Sequence, residues 1–247
     1  METIKLKYIT LLLFLSGYSS VAISQLVSAN ENCKTELEKI LRLYNVKYNK
    51  ERYAATFSTQ VMEGGEQGEK LVTKIWRDGK NIKIENPYLM MFIDTRDHII
   101  ILKDSRAIIA RSNSYDNAGK LTNIPSVSNM EEQLMENINK YASNIYCEKQ
   151  GREVKITLSF PESAKAELGL LKKVILHCKN DGTLLKGEYE YYADKGVTGQ
   201  VYEYLSFTDN IDAVVFAGNA VGQVFEGNKL KEIYQGFEFK DLRKQNK

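Results

Sequence analysis

The sequence predicts an α+β protein, a curved antiparallel sheet packed on two or more helices. Two observations lead to this prediction. Short segments rich in β-branched and aromatic residues follow one another with only turn residues between them, and two amphipathic helical patterns interrupt the series. Strands at that spacing without helices between them form antiparallel meanders and not βαβ units. We expect the order helix, sheet, helix, sheet in a single domain of residues 25–247.

The N-terminus predicts export. Residues 1–24 contain two early lysines, an apolar run from Leu11 to Leu15, and small residues that suit cleavage after Ser24. This is the organisation of a secretory signal peptide. The apolar run is too short to span a membrane. Cleavage after Ala29 and an uncleaved membrane anchor are the alternatives. We therefore expect a periplasmic or secreted protein without a membrane span in the mature chain.

Composition excludes two classes of protein. The formal net charge is only +2, and no stretch concentrates basic residues as a nucleic-acid-binding face does. The chain has only three prolines, and 27% of its residues are charged, which argues against an intrinsically disordered secretion product. We expect a folded domain that does not bind nucleic acid.

Three cysteines in an oxidising compartment favour a disulfide bond. Cys147, at the end of the predicted central helix, and Cys178, in a predicted strand, are the candidate pair, which leaves Cys33 unpaired. The alternative is that all three are small buried apolar residues, because sequence alone does not fix connectivity.

The first half of the mature chain predicts a helix followed by a strand array. Apolar residues from Leu37 to Tyr44 recur at helical spacing. Residues 63–70, "EGGEQGEK", predict a turn or loop. Asp78-Gly79 predicts a two-residue hairpin turn. The first predicted strand ends in "FSTQVM". The strands predicted after it are "KLVTKIW", "NIKIEN", "PYLMMFID", "HIIILKD" and "RAIIARS".

A central helix and a second strand array follow. Ser128 and Glu131 are spaced as a capping box. Asp181-Gly182 predicts another hairpin turn, and residues 213–239 are expected to add one or two strands. The predicted buried stripe of the helix is Leu134, Ile138, Tyr141 and Ile145, and the strands after it are "EVKITLSF", "LKKVILHCK", "TLLKGEYEYY" and "GQVYEYLSF".

The sequence offers little for catalysis. His98 and His177 are the only histidines, and no nucleophile elbow, zinc motif or phosphate-binding loop accompanies them. His98 lies in a polar turn-to-strand stretch where adjacent side chains point to opposite faces. Glu188 and Glu190 alternate with tyrosines and indicate a solvent-facing side of a strand. We expect no enzyme activity, no cofactor and no metal.

Tyrosines cluster near the end of the second array. Tyr189 and Tyr191 alternate with glutamates, and Tyr202 and Tyr204 do the same on the next predicted strand. If those strands are neighbours, the four rings form a ladder on one face. Tyrosine suits a surface that is apolar in its body and wet at its tip. The rings are therefore either a half-buried sheet face made of good β-formers or the lining of a binding site.

Residues 35–207 resemble a known family in order and pattern. The stretch "KIWRDGKNIKIENPYLMMFIDTRDHIIILKD" follows a short amphipathic helix and the segment "FSTQ", and "ADKGVTGQ" supplies a late turn. This layout is similar to the periplasmic lipoprotein-carrier (LolA-like) family. The residues that carry the resemblance are Phe57, Gln60, Trp76, Lys83, Ile84, Pro87, Asp97 and Ile99 to Ile101. The resemblance implies an incomplete β-barrel wrapped over helices, with an apolar cavity for acyl chains.

We therefore expect an exported, non-catalytic domain that binds or carries a lipid or lipid-modified protein in the cell envelope. Its partner would be a lipid or lipoprotein acyl chain, and an envelope protein is a further possible partner. The alternatives are an envelope structural or protein-interaction module with a closed core, and a secreted enzyme lacking linear motifs. The residues expected to line the ligand site are Trp76, Leu89, Met91, Tyr189, Tyr191, Tyr202 and Tyr204.

Overall fold

A computed structural model describes residues 31–48, 50–113, 136–193, 196–216 and 218–243 of the 247-residue chain. The predicted signal peptide, the predicted cap at Ser128 and Glu131, and Leu134 of the predicted stripe lie outside the described residues. Within the described ranges, no helix has the length and apolar character needed to cross a membrane.

Helix α1 covers Glu31–Tyr48 and packs one apolar stripe on the sheet. Leu37, Ile40 and Leu41 on this stripe are buried, as their helical spacing predicts. Residues 136–141 are also helical, and the short helix α2 covers Lys165–Leu168.

One sheet of twelve strands dominates the fold, in the order β14-β6-β5-β4-β3-β2-β1-β11-β10-β9-β8-β7. It is curved and open, with β14 and β7 as its described edges, and β12 and β13 form a separate two-stranded hairpin. The strands are β1 Arg52–Glu63, β2 Glu66–Asp78, β3 Asn81–Glu85, β4 Leu89–Ile93, β5 Asp97–Leu102, β6 Ala107–Ser112, β7 Asn144–Gln150, β8 Glu153–Ser159, β9 Leu171–Lys179, β10 Leu184–Tyr191, β11 Val197–Thr208, β12 Phe225–Glu226, β13 Lys229–Leu230 and β14 Glu238–Asp241.

The pairing of β1 with β11 joins the two predicted meanders into this one sheet. β1 therefore lies at the centre, with β2 on its other side. Neighbouring strands are antiparallel except for β14, which runs parallel to β6. The predicted final strands are thus present, although only β14 extends the large sheet.

The predicted turns are present with small shifts. Asp78 pairs with Asn81, so Gly79 and Lys80 are the two turn residues, one position later than the sequence indicates. Gly79 has φ +58°, a left-handed conformation that glycine adopts without strain. Residues 63–70 were predicted to form a turn or loop, but only Gly64 and Gly65 do so. Strand β1 ends at Glu63 and strand β2 begins at Glu66.

The central helix was predicted too long. Ile138 is buried, as expected, but Ile145 and Cys147 lie in strand β7 and not on a helix. The stretch "NIYCEKQ" alternates buried and exposed positions only weakly, so the spacing of Ile138, Tyr141 and Ile145 was wrongly extended across the helix end.

The two faces of the sheet bury different parts of the chain. We call the face that contacts α1 the inner face and the opposite one the outer face. α1 and the segment 138–145 cover the inner face over β7 to β10. The C-terminal segment 220–239 covers the outer face over β4 to β6, where it packs on Phe92, Ile99 and Ile108.

The disulfide bond was predicted wrongly. Cys147 bonds to Cys33 of α1, with their Cα atoms 5.5 Å apart, and Cys178 is a buried free thiol. The bond joins residues that are 114 positions apart and fixes the start of α1 on edge strand β7. Burial raises the pKa of Cys178 to about 12, so its thiol is protonated and inert.

Candidate functional site

The inner face changes character at the centre of the sheet. Residues directly opposite each other on paired antiparallel strands share a face, so the register assigns each side chain to one side. From β7 to β1 the inner face lies under α1. From β2 to β6 it continues as rows of aliphatic side chains. The predicted site residues divide between these two halves, with one exception.

The four tyrosines lie on the helix-covered half. Tyr202 pairs across the strands with Gly187, and Tyr189 pairs with Gln200, so all four rings share the inner face as predicted. The Tyr189 and Tyr202 rings meet edge to face with centroids 5.4 Å apart. The hydroxyl of Tyr191 donates to Oε1 of Gln200 at 3.3 Å.

Helix α1 and the core around it contact two of these rings. Tyr189 packs against the core cluster that contains Leu37 and Ile40. The ring of Tyr44 meets the ring of Tyr204 with centroids 5.7 Å apart. Burial raises the pKa of Tyr202 to about 12 and raises the pKa of Tyr189 further. The four tyrosines are half-buried, and burial keeps the hydroxyls of Tyr189 and Tyr202 neutral at physiological pH.

Leu89 and Met91 lie on the other half, which we describe by two rows. Leu89 is opposite Leu102, which is opposite Ala107. The second row runs straight across five strands, and all of its side chains are half-buried. We call it the apolar row, and it consists of Ile75, Ile84, Met91, Ile100 and Ile109.

The apolar row stands apart from the described cores. Ile75 packs against the small cluster around Tyr53 and Ala55. The other four members belong to none of the three core clusters formed by described residues. The register aligns these half-buried aliphatic side chains over five neighbouring strands.

Trp76 does not share this surface. It pairs with Lys83, which pairs with Phe92, so all three lie on the outer face. The Lys83 ammonium lies 4.9 Å from the Trp76 ring centroid and 5.7 Å from that of Phe92. Trp76 therefore takes part in a cation–π contact on the outer face, and grouping it with Met91 in one wall was wrong.

His98 lies at one end of the aliphatic half. It is opposite Ile93 and Arg111 on the inner face and is only 8% exposed. Its Nε2 has no hydrogen-bond partner among the described residues. Burial, together with the charge of Arg111, lowers the pKa of His98 to about 4. The side chain is neutral at physiological pH.

Asp94 organises the turn before His98. Its Oδ1 accepts hydrogen bonds from the backbone amides of Arg96 and Asp97, at 2.7 and 2.8 Å. Its Oδ2 accepts one from the amide of Ala220 at 2.7 Å. Burial alone would raise the pKa of Asp94, but these amides together hold it below its ordinary value. Asp94 thus has a structural role in joining the β4–β5 turn to the C-terminal segment.

The outer face over β8 to β11 is charged. Oε1 of Glu188 lies 2.9 Å from Nε2 of His177 and 2.8 Å from Nζ of Lys186. Glu190 pairs with Lys173 at 2.5 Å. These contacts agree with the solvent-facing side that the sequence indicates. Among the described residues, no group of three potential metal ligands comes together.

Two small pockets are formed by described residues. One has a volume of about 320 Å³ and a polar lining that includes Lys165, Lys172 and Tyr191. The other holds only about 10 Å³, between Ile82, Phe92 and the C-terminal segment. Neither is an enclosed apolar cavity of the size that an alkyl chain needs.

Sequence reasoning missed most of the apolar row. Met91 was identified, whereas Ile84, Ile100 and Ile109 beside it were not. The hairpin turns could have identified them. In an antiparallel hairpin, residues at equal distances from the turn lie opposite each other, and this pairs Met91 with Ile84 and with Ile100. Thr59 and Thr73, which lie between the two halves, left no signal in the sequence.

The chain has been compared with known proteins. No protein-family model matches it, and no curated protein gives a significant match. Solved structures do match. An uncharacterized conserved protein from Thermus thermophilus matches at 10% identity and a TM-score of 0.39, over 85% of this chain and 99% of that chain.

Two further matches have similar values. A LolA superfamily protein from Nitrosomonas europaea matches at 11% identity and a TM-score of 0.33, over 76% of this chain and 97% of that chain. LprF from Mycobacterium bovis matches at 8% identity and a TM-score of 0.37, over 74% and 96%. Likeness at these values carries no argument about function. A LolA superfamily protein is thus among the solved structures that this chain resembles.

Proposed function

We propose that this protein is a non-catalytic domain that binds or carries a lipid or a lipid-modified protein in the cell envelope. The observation that carries the proposal is the apolar row, together with Leu89 and Leu102 beside it. These side chains are half-buried, so part of their apolar surface remains in water when no ligand is bound. An alkyl chain laid along the row would remove that surface from water.

The physical chemistry favours an acyl chain as the ligand. Burial of apolar surface contributes about 0.8 kcal/mol for each CH₂ group. A chain of ten buried methylene groups therefore gains about 8 kcal/mol before the entropy of binding is subtracted. Met91 in the middle of the row has a flexible, polarisable side chain that adapts to ligands of different shape.

The location in the envelope rests on two features. A signal peptide at residues 1–24, as the sequence predicts, would direct the chain out of the cytoplasm. The Cys33–Cys147 disulfide is of the kind that persists in oxidising compartments such as the periplasm. Both support export, and we propose that the domain comprises residues 25–247, with cleavage after Ser24.

A second function is favoured by one observation. On the tyrosine half of the inner face, Tyr189 packs against the helix core and Tyr204 meets the ring of Tyr44 on α1, while Tyr202 meets the ring of Tyr189. An envelope interaction module with a closed core would have this packing over the whole inner face. In that case the partner would be a protein and the apolar row would bind no lipid.

Native mass spectrometry of protein purified from its own envelope tests the proposal. We expect wild-type protein to retain a lipid mass, and the double variant Met91→Gln with Ile100→Thr to lose it. Val72→Thr is the matched control, since Val72 lies on the same sheet and is 39% exposed but faces outward opposite Ser58. A wild-type protein that carries no lipid would favour the closed-core alternative.

A further inference from the structure

Two threonines at the centre of the inner face lack hydrogen-bond partners. Thr59 on β1 and Thr73 on β2 are 4% and 1% exposed. Neither Oγ1 atom has a partner among the described residues. Buried polar groups in folded proteins almost always have a partner, because an unpaired buried hydroxyl loses its hydrogen bonds to water without replacement.

The register places the two threonines at diagonal positions on one face of the sheet. Thr59 is opposite Leu71, and Thr73 is opposite Phe57, so the two threonines are diagonal neighbours on one face, with Cβ atoms about 7 Å apart. On the other side of β1, Thr59 is opposite Tyr202.

The pair marks the boundary between the two halves of the inner face. The tyrosines under α1 lie on one side of it. On the other side, Ile75, the first member of the apolar row, lies two residues beyond Thr73 on the same strand face. A polar group bound to the threonines would thus sit at one end of the apolar row.

Packing does not explain why threonine stands at both positions. Valine has the same shape and a comparable tendency to form strands, and it would leave no unpaired hydroxyl. Gln200, a buried polar residue on the neighbouring strand β11, does have a partner within the protein, because its Oε1 accepts a hydrogen bond from the Tyr191 hydroxyl. Two unpaired hydroxyls beside a half-buried apolar row are the arrangement expected of a ligand site, in which a few polar groups orient a mainly apolar molecule.

We propose that the hydroxyls of Thr59 and Thr73 donate hydrogen bonds to the ester or amide carbonyl of an acyl ligand whose chain lies along the apolar row. This inference rests on the proposed function and names the part of the ligand that fixes its register. A neutral carbonyl fits better than an ionised headgroup. Arg77 is the cationic residue of this face of β2, and it lies at the far end of the strand beside Tyr53.

The test uses two probes with the same number of carbon atoms on the purified full-length mature protein. Methyl dodecanoate labelled with ¹³C at its carbonyl supplies the ester, and tridecane supplies the chain alone. Affinities are measured by displacement of a fluorescent fatty-acyl probe. The carbonyl stretching frequency of the bound ester, read by infrared spectroscopy, reports hydrogen bonding directly.

The variants are Thr59→Val with Thr73→Val, and Thr59→Ser with Thr73→Ser. The valine pair is expected to bind methyl dodecanoate about 5- to 10-fold more weakly, with tridecane changed by less than about twofold. Its bound carbonyl should absorb at a higher frequency. The serine pair keeps both hydroxyls and should retain the ester preference. Thr56→Val is the control, because Thr56 lies on the outer face of the same strand, opposite Lys74.

Each failure has its own signature. If the valine pair folds, as its thermal melt reports, and binds both probes like the wild type, the hydroxyls contact ordered water only, and this inference is overturned while the proposed function stands. If the wild type binds neither probe, both the inference and the proposed function are overturned. If the wild type binds both probes equally, the carbonyl has no polar partner and only this inference fails.

Discussion

His98 gives the sharpest prediction about stability. The side chain is 8% exposed on the inner face, with its Nε2 unpaired among the described residues. Its pKa falls from the ordinary 6.5 to about 4, first because burial disfavours the imidazolium and second because Arg111 opposes a nearby positive charge. The folded protein therefore holds His98 neutral where the unfolded chain would protonate it.

The size of the effect follows from linkage. A pKa lowered from 6.5 to about 4 corresponds to about 3 kcal/mol of unfolding free energy, at about 1.4 kcal/mol per pKa unit. Because the folded-state pKa is the lower one, this penalty is absent above pH 6.5. The penalty grows as the pH falls from 6.5 to about 4, because in this range the histidine is protonated in the unfolded chain but not in the folded protein. Below about pH 4 the penalty has its full size.

The assay is urea denaturation at pH 7, 5.5 and 4 for wild type and for His98→Gln. The variant has a constant cost at all pH values, so the pH dependence of the difference isolates the titration. We expect the wild type to lose about 3 kcal/mol more than the variant between pH 7 and pH 4.

A difference between wild type and His98→Gln that stays constant from pH 7 to pH 4 would refute this reasoning. It would mean that the imidazolium is accommodated in the folded protein, by water or by a rearrangement of Arg111. Carboxylates that titrate in the same range do not confound the comparison, since they are present in both proteins and cancel in the difference.

Three further predictions concern stability under the same assay. Replacing both Cys33 and Cys147 by serine should cost about 3–5 kcal/mol, since the bond closes a 114-residue separation; an unchanged urea midpoint would argue against the bond. Asp94→Ala should cost about 2–3 kcal/mol, because the Ala220 amide loses its carboxylate acceptor, and Asp94→Asn should cost less. Gly199→Ala should cost about 1–3 kcal/mol, because the new Cβ would lie 2.8 Å from a backbone oxygen of β10; a neutral result would show that the strands separate easily.

The strands and their faces were predictable because side-chain alternation is a local property of the chain. In "GEYEYY" the alternation alone assigns Tyr189 to one face and Glu188 to the other, and the register confirms it. Trp76 was assigned to the wrong face because alternation shows only which residues of one strand share a face. Which face of one strand matches which face of the next depends on the length of the connection between the two strands. The three residues between β3 and β4 decide that Met91, and not Phe92, shares a face with Ile84.

The sequence by itself determined a β-rich chain with an amphipathic helix and tyrosines on one strand face, because short-range periodicity encodes each of these. The tertiary structure decided what is covered. It packed α1 and its core cluster against Tyr189 while Met91 joined none of the described core clusters, and it brought Cys33 to Cys147 instead of Cys178. Contacts between residues more than a hundred positions apart depend on strand order, which no local pattern contains.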